Sequence, residues 1–154
     1  MSWEVEIERS MIYKEPPVGF SPRFEVVSCY LEHGGKFLML HRHENKSQGD
    51  KWGVVAGKME PGEDATSAMV REIREETSLT IFAEQLEYFT KVYVHHGGYD
   101  FVYHMFRAKL DFRLEIKINN QEHAHFKWVS PQESLKLSLV DDLDECIKVF
   151  YKLE

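Results

Sequence analysis

Apolar residues recur along this chain at two different spacings, and the changes of spacing mark its elements. The run from Phe24 to Leu31 is β-rich, with Val26, Val27 and Tyr30. Gly34-Gly35 is a turn signal, and Lys36 to Arg42 resumes the apolar run, so the pair predicts a β-hairpin. Upstream, Trp3 to Glu8 reads as a short strand-like piece, followed by the breaker-rich loop from Glu15 to Pro22. The stretch from Glu44 to Lys51 is polar and predicts a loop; Trp52 to Ala56 is short and apolar, and a glycine-bearing loop spans Gly57 to Gly62. Ile81 to Val94 and Tyr99 to Leu110 are long, aromatic and β-branched, and His95-His96-Gly97-Gly98 joins them as a second hairpin. Phe126 to Val129 predicts another short strand. The helical spacing appears twice: from Ala65 to Thr77, with Asp64 placed to accept from first-turn amides, and near the C-terminus, where Val140, Leu143, Ile147 and Phe150 mark one face. Ser130-Pro131-Gln132-Glu133 has the form of a capping box with proline at the first helical position. Mixed strands and helices predict an α+β fold, a mixed sheet with helices packed on it, in one domain over 1–154.

Composition narrows this picture. The chain has 154 residues, enough for one self-sufficient core, and its 10 Phe, 7 Tyr and 3 Trp argue against disorder. It contains no apolar run of roughly 18 residues, so no membrane span is expected. The opening residues Met1-Ser2-Trp3-Glu4-Val5-Glu6 lack the basic flank and apolar stretch of a secretion signal. Cys29 and Cys146 are far apart, with no Cys-x-x-Cys, which excludes a disulfide framework or a cysteine zinc site and makes a reducing cytoplasm the expected compartment. The net charge of −7 argues against a nucleic-acid binder held by phosphate contacts. An anionic substrate would therefore need local attraction, for which a bound divalent cation is the obvious source.

The central helix carries charges on an unexpected face. At about 100° per residue from Ala65, Ala68 falls near 300°, Met69 near 40° and Ile73 near 80°, which is the apolar stripe. Glu72 falls near 340°, Glu75 near 280° and Glu76 near 20°, on an arc overlapping that stripe. Such like-charge pairs cost about 0.2–0.5 kcal/mol each when exposed and more when partly buried. Arg71 can relieve Glu75, four residues on, but one arginine does not neutralise three acids. A solvated acidic face is the plain explanation, yet it fits poorly with acids on the apolar side. A site for a hard divalent cation, Mg²⁺ or Mn²⁺, fits better, because carboxylate oxygens suit such ions. A carbonyl from the preceding loop could join them, with Gly57 allowing close approach.

These residues also form a motif. Gly57, five residues, Glu63, seven residues, then Arg71-Glu72-Ile73-Arg74-Glu75-Glu76-Thr77-Ser78-Leu79 resembles the Nudix box, Gly-x5-Glu-x7-Arg-Glu-U-x-Glu-Glu-x-Gly-U with U aliphatic, at every specified position but one. The exception is Ser78, where the family has a helix-ending glycine that takes positive φ cheaply. The resemblance extends to the approach segment Trp52 to Glu63, to the strand Phe37 to Arg42, similar to that of MutT-like members, and to Gln121 through Val129. Val55-Ala56 replaces the frequent Pro-Gly before Gly57.

The resemblance implies a Nudix-type α/β/α sandwich and metal-dependent hydrolysis of a nucleoside diphosphate linked to another group. It implies Glu72, Glu75, Glu76 and the Gly57 carbonyl as metal ligands, with Glu72 or Glu122 as general base. Glu63 and Arg71 would orient the carboxylates, and Arg42, Lys58 and Glu60 would meet the substrate. The implied activity is a MutT-like nucleoside triphosphate pyrophosphatase; the alternative is an ADP-ribose, nucleotide-sugar or dinucleoside-polyphosphate hydrolase. A nucleotide sensor without hydrolysis is disfavoured by the intact acidic residues. The partner is a small nucleotide, and homodimers are common in the family. The histidine pairs His41/His43, His95/His96 and His123/His125 fit scattered surface or substrate-edge positions better than a zinc site. Trp52, Trp128, Tyr93 and Tyr103 are candidates to stack a base, each equally suited to the core.

Overall fold

A computed structural model describes residues 11–111 and 114–154 of the chain. The strand expected from Trp3 to Glu8 lies outside the described residues. Eight strands form one sheet: β1 (Met11–Tyr13), β2 (Pro22–His33), β3 (Lys36–Arg42), β4 (Trp52–Gly53), β5 (Val55–Lys58), β6 (Glu87–His96), β7 (Tyr99–Lys109) and β8 (His123–Val129). Among the described residues three α-helices accompany them: α1 (Ala65–Thr77), α2 (Pro131–Ser134) and α3 (Leu143–Tyr151).

The sheet runs β1-β6-β7-β2-β3-β4, with β5 paired to β2 and β8 to β3. β2 is its pivot. Along one edge it runs parallel to β7. Along the other it pairs antiparallel with β5, from Val26↔Lys58 to Cys29↔Val55, and with β3 only at Glu32↔Phe37 and His33↔Lys36. The expected first hairpin therefore forms at its turn and then forks. β3 diverges to pair with β8, and β5 fills the space left beside β2. The second hairpin closes at Gly97 and Gly98, whose φ values of 54° and 88° suit residues without a Cβ.

Alternation along the strands builds a core on each side of the sheet. Val27, Cys29 and Leu31 of β2 meet Ala68, Met69 and Ile73 of α1. Tyr30 between them points the other way, towards Phe37, Met39, and Ile147 and Phe150 of α3. The α/β/α layering follows from these opposed faces.

Several boundaries differ from the sequence expectation, with β2 beginning at Pro22 and β5 running through Gly57 to Lys58 among them. The strand expected from Ile81 begins at Glu87, because Ala83–Gln85 forms a 3₁₀ turn that the Gln85 side chain closes by accepting from the Phe82 amide at 2.9 Å. β8 begins at His123, ahead of Phe126. Val140 precedes α3, tied to Trp52 by a backbone hydrogen bond of 3.0 Å. The capping box at Ser130 forms as expected, with reciprocal bonds to Glu133 of 3.1 Å. Among the described residues no helix is long and apolar enough to cross a membrane.

Candidate metal centre

α1 is held at both ends. Asp64 accepts from the Ser67 amide at 2.8 Å, satisfying a first-turn donor. At the other end Ser78 takes the left-handed conformation, φ 65°, and its amide reaches the Arg74 carbonyl at 2.9 Å. Its hydroxyl donates to the Lys117 carbonyl at 3.0 Å, so serine here is tethered to the segment that leads into β8.

Between these ends Arg71 organises the acids. Its Nε and a terminal nitrogen grip Glu63 at 2.8 and 2.9 Å, a bidentate pair that pulls the Glu63 carboxyl down to about 2. The same guanidinium donates to Glu72 at 2.9 Å, Glu75 at 3.2 Å and the Lys58 carbonyl at 3.1 Å. Glu60 stands 3.9 Å from it and gives its amide to Glu63. Arg71 thus fastens the loop to the helix and aligns two of the candidate ligands.

Glu72 packs its carboxylate against Gly57. A Cβ at that position would overlap the carboxylate, so glycine is required by proximity rather than by φ. Burial raises the Glu72 carboxyl, with Glu75 and Glu122 adding to the rise and Arg71 opposing it. Glu76 lies deeper, 4% exposed, in the stripe where its helical angle placed it. Burial drives its carboxyl well above the ordinary 4.5, repulsion from Glu72 and Glu122 adds to this, and only the Ala56 backbone opposes it by hydrogen bonding. Its Oε2 has no hydrogen-bond partner among the described residues.

The late acid expected at Glu122 does come to this place. Ligand atoms of Glu76, Glu122 and His123 all lie within 4.8 Å of one another. His123 is the residue that sequence reasoning set aside. It is buried, its Nε2 is 4.0 Å from Glu76 Oε1, and its Nδ1 has no partner. Burial and the nearby Arg42, His43 and His41 lower its pKa to about 4, so the ring is neutral near pH 7. The alternation of His123 and His125 was its only signal in the sequence. Its inward direction depends on pairing with Arg42 across a register shift after His41, a bulge that re-aims side chains.

A cavity of about 320 Å³ opens beside this cluster. Arg42, Lys58, Gly57, Glu76 and His123 line its polar end; Val26, Phe101, Tyr103, Leu143 and Cys146 line its apolar side. Lys58 also sits 4.2 Å over the Phe24 ring, and Arg42 donates to the Ser47 carbonyl at 2.9 Å. Glu60 does not line the cavity, and Glu75 is half exposed at the edge of the cluster. Of the four aromatic candidates Tyr103 lines the cavity. Trp52 lies tilted against His41, Tyr93 meets Phe20 edge-on, and Trp128 packs against the core on the α1 side.

The donor set fits a hard divalent cation. Glu72 and Glu122 both repel Glu76, and a buried Glu76 oxygen faces a His123 nitrogen too distant to bond. Layered α/β/α architecture with an acidic centre beside a cavity is the arrangement that the comparisons with known proteins bear on. The NUDIX domain family matches residues 22–150, and the chain belongs to the Nudix family of hydrolases. It is 34% identical over 115 residues to the CTP pyrophosphohydrolase of Escherichia coli K12, covering 75% of this chain and 82% of that one. It is 30% identical over 105 residues to the ADP-ribose pyrophosphatase of Bacillus subtilis 168, covering 67% of this chain and 56% of the relative. Among solved structures the Escherichia coli ORF135 protein superposes with a TM-score of 0.70 at 28% identity, covering 84% of this chain and 89% of that one. The MutT protein of Methanosarcina mazei Go1 shares the fold, with a TM-score of 0.74 at 24% identity, covering 85% and 94%.

Proposed function

We propose that this protein is a nucleoside triphosphate pyrophosphatase that works with Mg²⁺ or Mn²⁺, its 1–154 chain acting as one domain. The observation that carries the reading is Glu76: a buried carboxylate with an unpartnered oxygen, beside Glu72, Glu122 and a cavity of nucleotide dimensions. Glu72, Glu75 and Glu76, with the Gly57 carbonyl, would hold the ion. Such an ion supplies charge neutralisation at the phosphates and lowers the pKa of a bound water.

The chain's own side chains do the rest. Arg71, clamped by Glu63, fixes Glu72 in place. Glu72 and Glu122 are the candidate bases that take a proton from water. Arg42 and Lys58 line the cavity's polar end and would meet phosphate oxygens, while Glu60, turned towards Arg71, supports the loop instead. The apolar side, with Tyr103, would take the base. Buried, reduced Cys29 and Cys146 suit a cytoplasmic protein.

The alternative is hydrolysis of ADP-ribose, a nucleotide sugar or a dinucleoside polyphosphate. It is supported by the name of the Bacillus subtilis relative and by the shared fold of an Ap4A hydrolase from C. elegans, with a TM-score of 0.65. A panel of ordinary and oxidised nucleoside triphosphates, ADP-ribose, nucleotide sugars and dinucleoside polyphosphates, with Mg²⁺ and products identified by mass, decides between them. A nucleoside monophosphate and pyrophosphate from a triphosphate is the expected result. Glu76→Gln should stay folded and lose at least about a hundredfold in kcat; full activity in that variant would overturn the assignment.

A further inference from the structure

We propose that His123 is itself a ligand of the divalent ion, joining Glu76 and Glu122, so that the centre favours first-row transition ions such as Mn²⁺ over Mg²⁺. The inference rests on the reading that this cluster holds metal, and it adds a nitrogen donor to a site otherwise made of oxygens.

Two side chains that should satisfy one another do not. His123 Nε2 and Glu76 Oε1 stand 4.0 Å apart, beyond a hydrogen bond, although both residues are more than nine-tenths buried. Glu76 Oε2 and His123 Nδ1 each lack a partner as well. Buried polar groups are ordinarily bonded, and two facing each other across such a gap call for a third atom between them. Ligands about 2.1 Å from one ion can stand up to about 4.2 Å apart, so this gap is of ligand-to-ligand size. Glu122 brings a third donor within 4.8 Å of the other two.

The backbone supports the same assignment. His123 is the first residue of β8, paired with Arg42, and its amide bonds the Asn119 carbonyl at 3.0 Å, while Glu122 ends the preceding turn through its own bond to Asn119 at 3.1 Å. Adjacent residues of one tight turn thus converge on a glutamate presented by α1. Imidazole nitrogen binds Mn²⁺ and later first-row ions better than it binds Mg²⁺, which prefers oxygen throughout.

The test is electron spin echo envelope modulation on the full chain loaded with Mn²⁺, paired with direct titration of Mn²⁺ and Mg²⁺ into wild type and His123→Gln. The wild type should show ¹⁴N coupling from one imidazole, and His123→Gln should lose it. In that variant Mn²⁺ affinity should fall by about tenfold or more and Mg²⁺ affinity by less than about threefold. Absent ¹⁴N coupling in the wild type, which needs no variant to fold, would overturn the proposal and point to a water between the two side chains. Coupling that persists in a folded His123→Gln, or an equal loss for both ions, would overturn it too. Hydrolysis with Mg²⁺ can stand or fail independently of these spectra.

Discussion

At the scale of single residues, proximity matters more than chemical type in this centre. Gly57 does not use the left-handed region open to glycine, so alanine would suit its backbone. What alanine cannot do is coexist with the Glu72 carboxylate. Gly57→Ala should therefore fold with little change in Tm, yet lower kcat by about tenfold or more, because Glu72 must swing away from the cluster. Steady-state kinetics beside a thermal melt separates these effects. Arg71 makes the opposite point, since one guanidinium serves four carboxylates and a carbonyl. The Glu63 carboxyl is depressed from 4.5 to about 2 in the folded protein, so its contribution to stability is full above pH 4.5 and is lost as pH falls towards 2. Denaturant unfolding should show wild type losing stability across that window more steeply than Arg71→Ala, in which the depression is relieved.

At the scale of elements, α1 was the most legible part of the sequence. Its N-cap at Asp64, its span and the burial of Glu76 all follow from period and capping chemistry. Its C-terminus carries a testable cost. Ser78 sits at φ 65°, where glycine loses nothing, but its hydroxyl holds Lys117. Ser78→Gly should raise stability by about 0.5 kcal/mol, the conformational gain less an exposed hydrogen bond, with hydrolysis unchanged. Chemical denaturation checks this. The fork between β2 and β3 was not legible, because Phe24 to Leu31 and Lys36 to Arg42 read as any hairpin would. Which strands fill the fork depends on partners far along the chain, and local periodicity carries no information about them. His123 was lost for the same reason: a histidine at a strand's first position shows its direction only once its partner is known.

At the scale of the molecule, a net charge of −7 and a polyanionic substrate are reconciled only locally. The carboxylates repelling one another in the centre make the metal-free protein store unfavourable charge, which an ion would relieve. Mg²⁺ or Mn²⁺ should therefore raise Tm in proportion to the logarithm of concentration, by about 2.7 kcal/mol of stability at a hundredfold excess over Kd, and chelation should reverse the shift and stop hydrolysis. Differential scanning fluorimetry with matched ionic strength checks it. The acidic character of this centre was readable from the motif. The cavity was not, since its walls come from β2 to β8 together with α1 and α3.

The forked sheet has one more consequence. Beyond the turn, β2 carries β5 and α1 on one branch while β3 carries β8 on the other, and the acidic cluster sits across the split, with Glu76 from one branch and Glu122 and His123 from the other. An ion held there would act as a removable clasp between two parts of the chain distant in sequence. Because such a clasp joins parts distant in sequence, it would slow opening more than it would hasten assembly. The loaded protein would then owe its endurance to the rate at which the fork reopens, and withdrawing the ion would release the β8 branch first.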